Sequence, residues 1–408
     1  MNYIYKKKAL APSLMFVFMM GIVSLFSDMT HEGARSIYGA YLALAGASAA
    51  EIGFVTGLGE MLGYSLRLFT GILADKSKRY WAITFFGYAI NMLAIPAIAL
   101  VPQNGWLYAS MFIVLERIGK AIRQPSKNTL VSFAASQVGN GKAFAIQEFL
   151  DQIGAFIGPV ILFLVLFLRR GSGNIFLSYS ICFAVLGIPA IITLTSLFIA
   201  ERHFPNPEEF EPNINNAAGK IELKKSFVLY IIAISFMALG FADFPIITMH
   251  IAKINIVPED TLPLLYAWAM LVDAFAALAF GWMYDKKGIF VLVYSSAISA
   301  FFSIFIFCFN SIWVILIGIT MWGIGMGAQE SILKSVVATI VSKKNRSSGF
   351  GFFETSFGIF WFIGSWIMGY LYDIKPIYLV SFSFISQALS IPLLYAVSLS
   401  SGRTKKLK

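Results

Sequence analysis

Twelve apolar stretches, each long enough to cross a lipid bilayer, take up most of the chain, at approximately 12–44, 49–74, 79–101, 105–130, 142–168, 174–200, 226–252, 262–284, 289–309, 311–341, 348–372 and 376–399. At 1.5 Å per residue, about 20 apolar residues cross the hydrocarbon core. A chain patterned this way cannot cover a water-facing surface. Its mean hydropathy is +0.76, and charged residues make up 13% of its 408 positions, against ~25% in soluble domains. A soluble globule, a disordered chain and a collagen-like fibre are all excluded. In lipid, each segment must satisfy its own backbone hydrogen bonds, so helices are expected. The fold class is therefore an all-α integral membrane protein with twelve transmembrane helices. The first stretch lacks a small-residue cleavage site and is expected to remain as a span. Cys182 and Cys308 lie inside apolar runs, which excludes a disulfide scaffold and a cysteine metal cluster.

An even number of spans places both termini on one side. Lys and Arg concentrate at the termini and after even-numbered spans, as at Lys6, Lys7, Lys8, Lys76, Lys78, Arg79, Lys286, Lys287, Lys343, Lys344, Lys405 and Lys406. The opposite loops hold Arg169, Arg170, Lys253 and Lys375. By the positive-inside rule both termini are cytoplasmic and the protein is expected in the cell membrane. The formal net charge of +10 follows from this asymmetry, and no nucleic-acid partner is needed to explain it. The one long polar break, Glu201 to Lys225, carries Pro205, Pro207 and Pro212 and reads as a flexible cytoplasmic linker. It separates an N-terminal six-helix bundle, 1–200, from a C-terminal one, 226–408.

The two halves repeat each other. Phe26 and Asp28 fall on Phe241 and Asp243; Gly71 and Asp75 fall on Gly281 and Asp285; Gly119, Glu148 and Gly158 fall on Gly325, Glu354 and Gly364. A duplicated six-span unit is a transporter pattern. The loop "GILADKSKRYW", with Gly71, Asp75, Lys76, Lys78 and Arg79, and its copy "GWMYDKKG" resemble the loop signature of the major facilitator superfamily. The expected second glycine after Lys76 is missing. The resemblance implies two pseudo-symmetric six-helix bundles, alternating access, and a cytoplasmic brace at this loop. Asp75 is expected to cap a neighbouring helix N-terminus. "GAFIGPV", with Gly154, Gly158 and Pro159, partly matches an element associated with the family's antiporters. Leu162 and Phe163 stand where its glycine pair is usual, and the spacing is also a general device for close helix contact.

An ionisable residue near the bilayer centre costs ~2.5–3.5 kcal/mol, yet the spans keep many. The carboxylates are Asp28, Glu32, Glu60, Glu116, Glu148, Asp151, Asp243, Asp273, Glu330 and Glu354; the cations are Arg35, Arg67, Arg117, Lys120, Arg123, Lys127 and Lys334, with His31 and His250 beside them. Lipid-facing positions are untenable for most, so they are expected to line a wet cavity. Asp28, Glu32 and Arg35 share one face of span 1 by their i, i+4, i+7 spacing. Glu60, Tyr64 and Arg67 repeat that spacing on span 2, and Glu116, Lys120, Arg123 and Lys127 extend it on span 4. The carboxylate excess calls for bound protons or a cation. Asp28, Glu32 and Asp243 are the candidates for proton coupling, with Arg35, Glu60, Arg67, Glu116, Arg117, Lys120 and Arg123 as central-cavity charges.

The repeat positions in the second half are mostly apolar or aromatic. A softer substrate surface is therefore expected from Tyr38, Tyr64, Trp268, Met270, Trp322, Met326, Gln329 and Phe357, although such stripes also serve as packing. The expected cytoplasmic gate comprises Gly71, Asp75, Lys76, Arg79, Gly281, Asp285, Glu148, Lys334 and Glu354.

The leading functional reading is a monomeric secondary transporter of a small organic solute, driven by protons and exporting, with no cofactor and no resident metal. Uptake of an organic anion, clamped by Arg35, Arg117 and Lys120, stays open. So does a divalent-metal cargo held by Asp28, His31, Asp243 and His250. The readings from other classes are a transport-dead receptor and a membrane enzyme; no nucleotide-binding loop and no reactive constellation such as HExxH occurs in the sequence.

Overall fold

The computed structural model describes residues 2–210, 225–341 and 346–405. They are almost entirely helical, in twelve spans. These are α1 (Asn2–Leu44), α2 (Ala49–Ser77), α3 (Tyr80–Ala97), α4 (Trp106–Val138), α5 (Asn140–Leu168), α6 in two parts (Ile175–Val185, Gly187–His203), α7 in two parts (α7a, Lys225–Gly240; α7b, Phe244–Ile254), α8 (Leu262–Lys287), α9 in two parts (Phe290–Ser299, Phe302–Phe307), α10 (Ile312–Ile340), α11 (Arg346–Ile374) and α12 (Pro376–Lys405). Ten of these are long and apolar enough to cross a membrane on composition alone. The other two, α2 and α4, have spanning length, 29 and 33 residues. They miss that measure because they carry the charge stripes.

The chain divides into two compact units, Met1–Arg35 with Leu66–Asn216 and Ser36–Ser65 with Ala217–Lys408. In the first unit, α3 and α4 meet backbone to backbone. A Cβ at Gly119 would lie 2.5 Å from the Asn91 amide nitrogen, so only glycine admits this approach. The glycines of "GAFIGPV" press α5 onto α1 in the same way: Gly154 abuts the Leu25 carbonyl and Gly158 the Met29 carbonyl. That element therefore has a packing role here. An apolar core of Phe16, Met20, Trp81, Tyr88, Met92, Leu130 and Leu197 completes the unit.

The segment expected as a flexible linker from Glu201 begins as structure. Helix α6 runs through His203, and Pro207–Phe210 form a 3-10 turn. The rings of Phe204 and Phe210 lie 5.3 and 6.2 Å from Phe16. Trp81 Nε1 donates to the Phe204 carbonyl (3.2 Å) and Gln137 Nε2 to that of Phe210 (2.9 Å). Two aromatic anchors outweigh the polar, proline-rich composition up to that point. Residues 211–224 lie outside the described residues.

In the second unit, α7 is interrupted over 241–243. Pro245 stands just past the break, and a proline is tolerated in a first turn because its missing N–H would have no partner there; Pro125, Pro159 and Pro392, by contrast, are carried inside the unbroken α4, α5 and α12. Helix α7b starts at Phe244, with Asp243 as the N-cap residue. The carbonyls freed by the break have partners. Gly240 O accepts from Ser383 Oγ (2.6 Å) and Gln387 Nε2 (3.2 Å), and Ala242 O from Trp322 Nε1 (2.9 Å). At the matching position in α1 stands Thr30, whose hydroxyl bonds back to the Phe26 carbonyl at 2.9 Å, and that helix is continuous. The start of α2 is also well capped. Ser48 and Glu51 form a reciprocal capping box, and Asp373 accepts from the amides of Ala49 (3.1 Å) and Ala50 (2.8 Å).

Candidate functional site

The charged stripes of α1 and α4 come together in the first unit, where they divide into a locked part and an open part. In the locked part, Glu116 is wholly buried, with Oε1 2.8 Å from His31 Nδ1 and Oε2 3.4 Å from Arg117 Nε. Asn91 of α3 donates to the same carboxylate and, at 2.9 Å, to the Glu116 backbone carbonyl. Arg123 is buried beneath the Tyr88 ring, 4.2 Å from its centroid, and donates to Ser27 Oγ at 3.0 Å. Lys127 bonds Ser24 Oγ and lies 4.0 Å from an Asp151 oxygen. Gln147 completes this end by accepting from Ser24 (3.3 Å) and donating to the Val17 carbonyl (2.7 Å). Buried charges need such partners because an uncompensated one costs several kcal/mol.

The open part is Asp28 and Lys120. Both are only partly buried, and among the described residues neither makes an ion pair within 4 Å. Asp28 lies in the field of Lys120, Arg123, Glu32 and Asp151. Glu32, 14% exposed, reaches His31 Nε2 at 3.6 Å and Arg35 Nη1 at 3.8 Å. A carboxylate and an ammonium without an ion pair, beside charges that have one, can exchange partners with an ion, a proton or a solute.

Other candidate residues fall elsewhere. Asp243 is fully buried as the α7b cap, with Oδ1 3.0 Å from the Phe244 amide. Its repeat partner Asp28 stands in an unbroken helix. Glu60 is buried and Arg67 half-buried. In the second unit an aromatic chain runs from Tyr64 through Phe357, Trp361, Phe241 and Trp322 to Phe244, with centroids 5.1–5.7 Å apart. It joins three of the residues expected to face the substrate. Tyr38, Met270, Met326 and Gln329 are buried, whereas Trp268 is 43% exposed and donates to Thr320 Oγ1 at 3.0 Å.

Among the gate candidates, Asp75, Lys76, Arg79, Glu148 and Lys334 are exposed and Glu354 is half-buried. Asp75 accepts from Tyr80 Oη at 3.4 Å, and Glu148 from Gln152 at 3.4 Å. Gly71 faces Pro125, and a Cβ at Gly281 would meet open space. The Asp285 side chain lies outside the described residues. Of the metal alternative, His250 is engaged by Tyr372 Oη at 2.9 Å, and no group of three or more His, Cys, Asp or Glu among the described residues is placed to hold a metal ion.

Sequence reasoning passed over Asn91, Ser24, Ser27, Gln147 and Gln387. Their signal was present: uncharged polar side chains inside apolar runs need partners as buried charges do.

A chain of twelve helices of spanning length, with a charged cluster between them, defines the class as a multi-pass membrane protein. Comparison with known proteins agrees. Residues 228–399 match the family model Major Facilitator Superfamily. An uncharacterized protein of Mycobacterium tuberculosis is 36% identical over 389 residues, covering 94% of this chain and 93% of the relative. An uncharacterized MFS-type transporter of Methanocaldococcus jannaschii is 26% identical, over 88% and 89%. Among solved structures, the nucleoside transporter NupG superposes with TM-score 0.70 at 14% identity, covering 95% of this chain and 98% of that one. A D-xylose–proton symporter superposes with TM-score 0.67 at 11% identity, over 93% and 96%. The chain belongs to the major facilitator superfamily and is a secondary transporter.

Proposed function

We propose that the protein moves a small organic solute by proton-coupled alternating access, as a monomeric exporter in the cell membrane with both termini cytoplasmic. Its halves are 1–200 and 226–408, joined by 201–225. The observation that carries this reading is that, among the described residues, Asp28 and Lys120 make no ion pair within 4 Å, beside Glu116, Arg123 and Lys127, which have buried partners. Protonation of Asp28 or Glu32 alters which cation each can hold. A difference of about 5.5 kcal/mol in pairing is enough to invert a two-state population from 1:99 to 99:1. Asp243, held as a helix cap, is the second-half counterpart in this scheme. The fold shared with a D-xylose–proton symporter is compatible with proton drive.

Uptake of an organic anion is the second reading, and Lys120 favours it. An ammonium without an ion pair, with Arg117 one turn before it on α4 and Arg35 on α1, offers a carboxylate or phosphate three cationic donors.

The test is reconstitution in liposomes with an imposed pH gradient and a panel of nucleosides, pentoses, dipeptides and organic anions. The reading expects at least one compound to move protons opposite to itself. Co-directional movement selects the second reading. No linked proton movement with any compound sinks proton coupling altogether.

A further inference from the structure

The repeat assigns α1 and α2 to the first half of the chain, yet their far ends, residues 36–65, fall in the same compact unit as residues 217–408. The contact within that unit is close enough to need glycine. A Cβ at Gly39 of α1 would strike the Pro245 carbonyl of α7b, one at Gly53 of α2 the Ser365 carbonyl of α11, and one at Gly369 of α11 the Ala49 carbonyl of α2. Phe54 of α2 adds edge contacts to the rings of Phe362 and Trp366, each at 5.4 Å. By the positive-inside asymmetry these ends face the outside. At the outermost turn the packing gives way to a cavity of about 340 Å³, lined by Ala40, Ala43, Ala49, Ala252, Lys253 and Asp373 among others. What joins the helices there is polar. Asp373, in the last turn of α11, accepts from the Ala49 amide on Oδ1 (3.1 Å) and from the Ala50 amide on Oδ2 (2.8 Å).

The two sides of this contact are separately built. On α2, the amides of Ser48 and Glu51 are satisfied by the reciprocal Ser48–Glu51 box, a cap that travels with the helix wherever it goes. The amides of Ala49 and Ala50 depend instead on a carboxylate more than 320 residues away. On the other side, Tyr372 ties α11 to α7b: its Oη lies 2.9 Å from His250 Nδ1, and Lys253 Nζ lies 5.4 Å from its ring centroid. Gly158 and Gly364 are repeat partners, and the same offset sets Phe167 of α5 against Asp373, so the carboxylate occurs in one copy of the repeat. We propose that Asp373 is the latch of an external gate. Its carboxylate holds the first turn of α2 against α7b and α11 while the outside is closed, and releases Ala49 and Ala50 to water when the outside opens. The proposal rests on the reading that the protein works by alternating access. Release is reversible because Asp373 is exposed and water can replace it on both amides. The glycine seam closes by shape and carries no charge; the latch sets how often it opens. Asp373 touches no solute in this scheme and is a positioning residue.

The experiment uses the full chain in lipid nanodiscs, with Cys182 and Cys308 replaced by serine. Spin labels are attached at Leu44→Cys, the end of α1, and Lys375→Cys, just past α11, both exposed positions. Double electron–electron resonance reads the distance between them. The protein with Asp373 intact is expected to show a dominant short distance and a minor long one. Asp373→Asn is expected to raise the long-to-short ratio by about 2- to 30-fold, the range for loss of a helix cap. Glu51→Ala, which breaks only the local cap, is expected to quicken amide exchange at Ser48 without raising that ratio; a residue that merely stabilised α2 would give the two variants the same effect. An unchanged ratio in Asp373→Asn, or an equal rise in Glu51→Ala, overturns the latch and leaves alternating access standing. A single distance that persists in every variant and with every compound of the transport panel brings down the latch and alternating access together.

Discussion

At the scale of single residues, the charges within the membrane separate by whether they are already spent. Glu116, Arg123 and Lys127 each have buried partners, so their first duty is to hold α1, α3, α4 and α5 in register. Asp28 does no such work and can be neutralised cheaply. Asp28→Asn is expected to fold and insert normally, to abolish accumulation against a gradient and to retain exchange at zero gradient. Transport that keeps its pH dependence in this variant would make the carboxylate structural. Asn91→Leu should behave in the opposite way. It strips a fully buried carboxylate of a donor and costs about 1–3 kcal/mol, read as a lower melting temperature in detergent. The charged stripes were legible because i, i+4 and i+7 spacing alone puts Asp28, Glu32 and Arg35 on one face. Their division into locked and open members was not, since it depends on Asn91, Ser27 and Tyr88 from other spans, and nothing local in the sequence pairs those with their charges.

At the scale of helices, apolar runs located the spans, although α2 and α4 carry too much charge to qualify on composition alone. Pro245 opens α7b just past the break, whereas Thr30 stands in the unbroken α1; the hydropathy of 226–252 showed one stretch and no interruption. The satisfaction of Gly240 and Ala242 by Ser383, Gln387 and Trp322 was not visible, because these partners lie up to 147 residues away. Helix contact through glycine is a local rule. Gly158→Leu would push α5 off the Met29 carbonyl and is expected to cost about 1–3 kcal/mol by overpacking. Thermal unfolding in detergent checks it, and an unchanged midpoint would mean that α1 and α5 can separate freely. Asp373→Asn weakens a charge-assisted cap on α2, expected at about 0.5–2 kcal/mol and measurable as faster amide exchange at Ala49 and Ala50.

For the molecule as a whole, the positive-inside asymmetry makes a claim about sidedness that labelling can decide. With Cys182 and Cys308 replaced by serine, Ser172→Cys should react with an impermeant reagent added outside cells, and Ser77→Cys should react only after permeabilisation. The reverse pattern inverts the topology. Span number and class were readable from the sequence because lipid forces each segment to declare itself; the packed aromatics of Phe204 and Phe210 were hidden by the prolines around them. The break in α7 also has a consequence for descent. Once a spanning helix is broken, the carbonyls freed become a debt shared by distant positions, and the lineage can lose neither the break nor their partners singly at no cost. Residues 240, 242, 245, 322, 383 and 387 should therefore be inherited as a block. Relatives lacking the proline should be the ones in which the serine, the glutamine and the tryptophan drift.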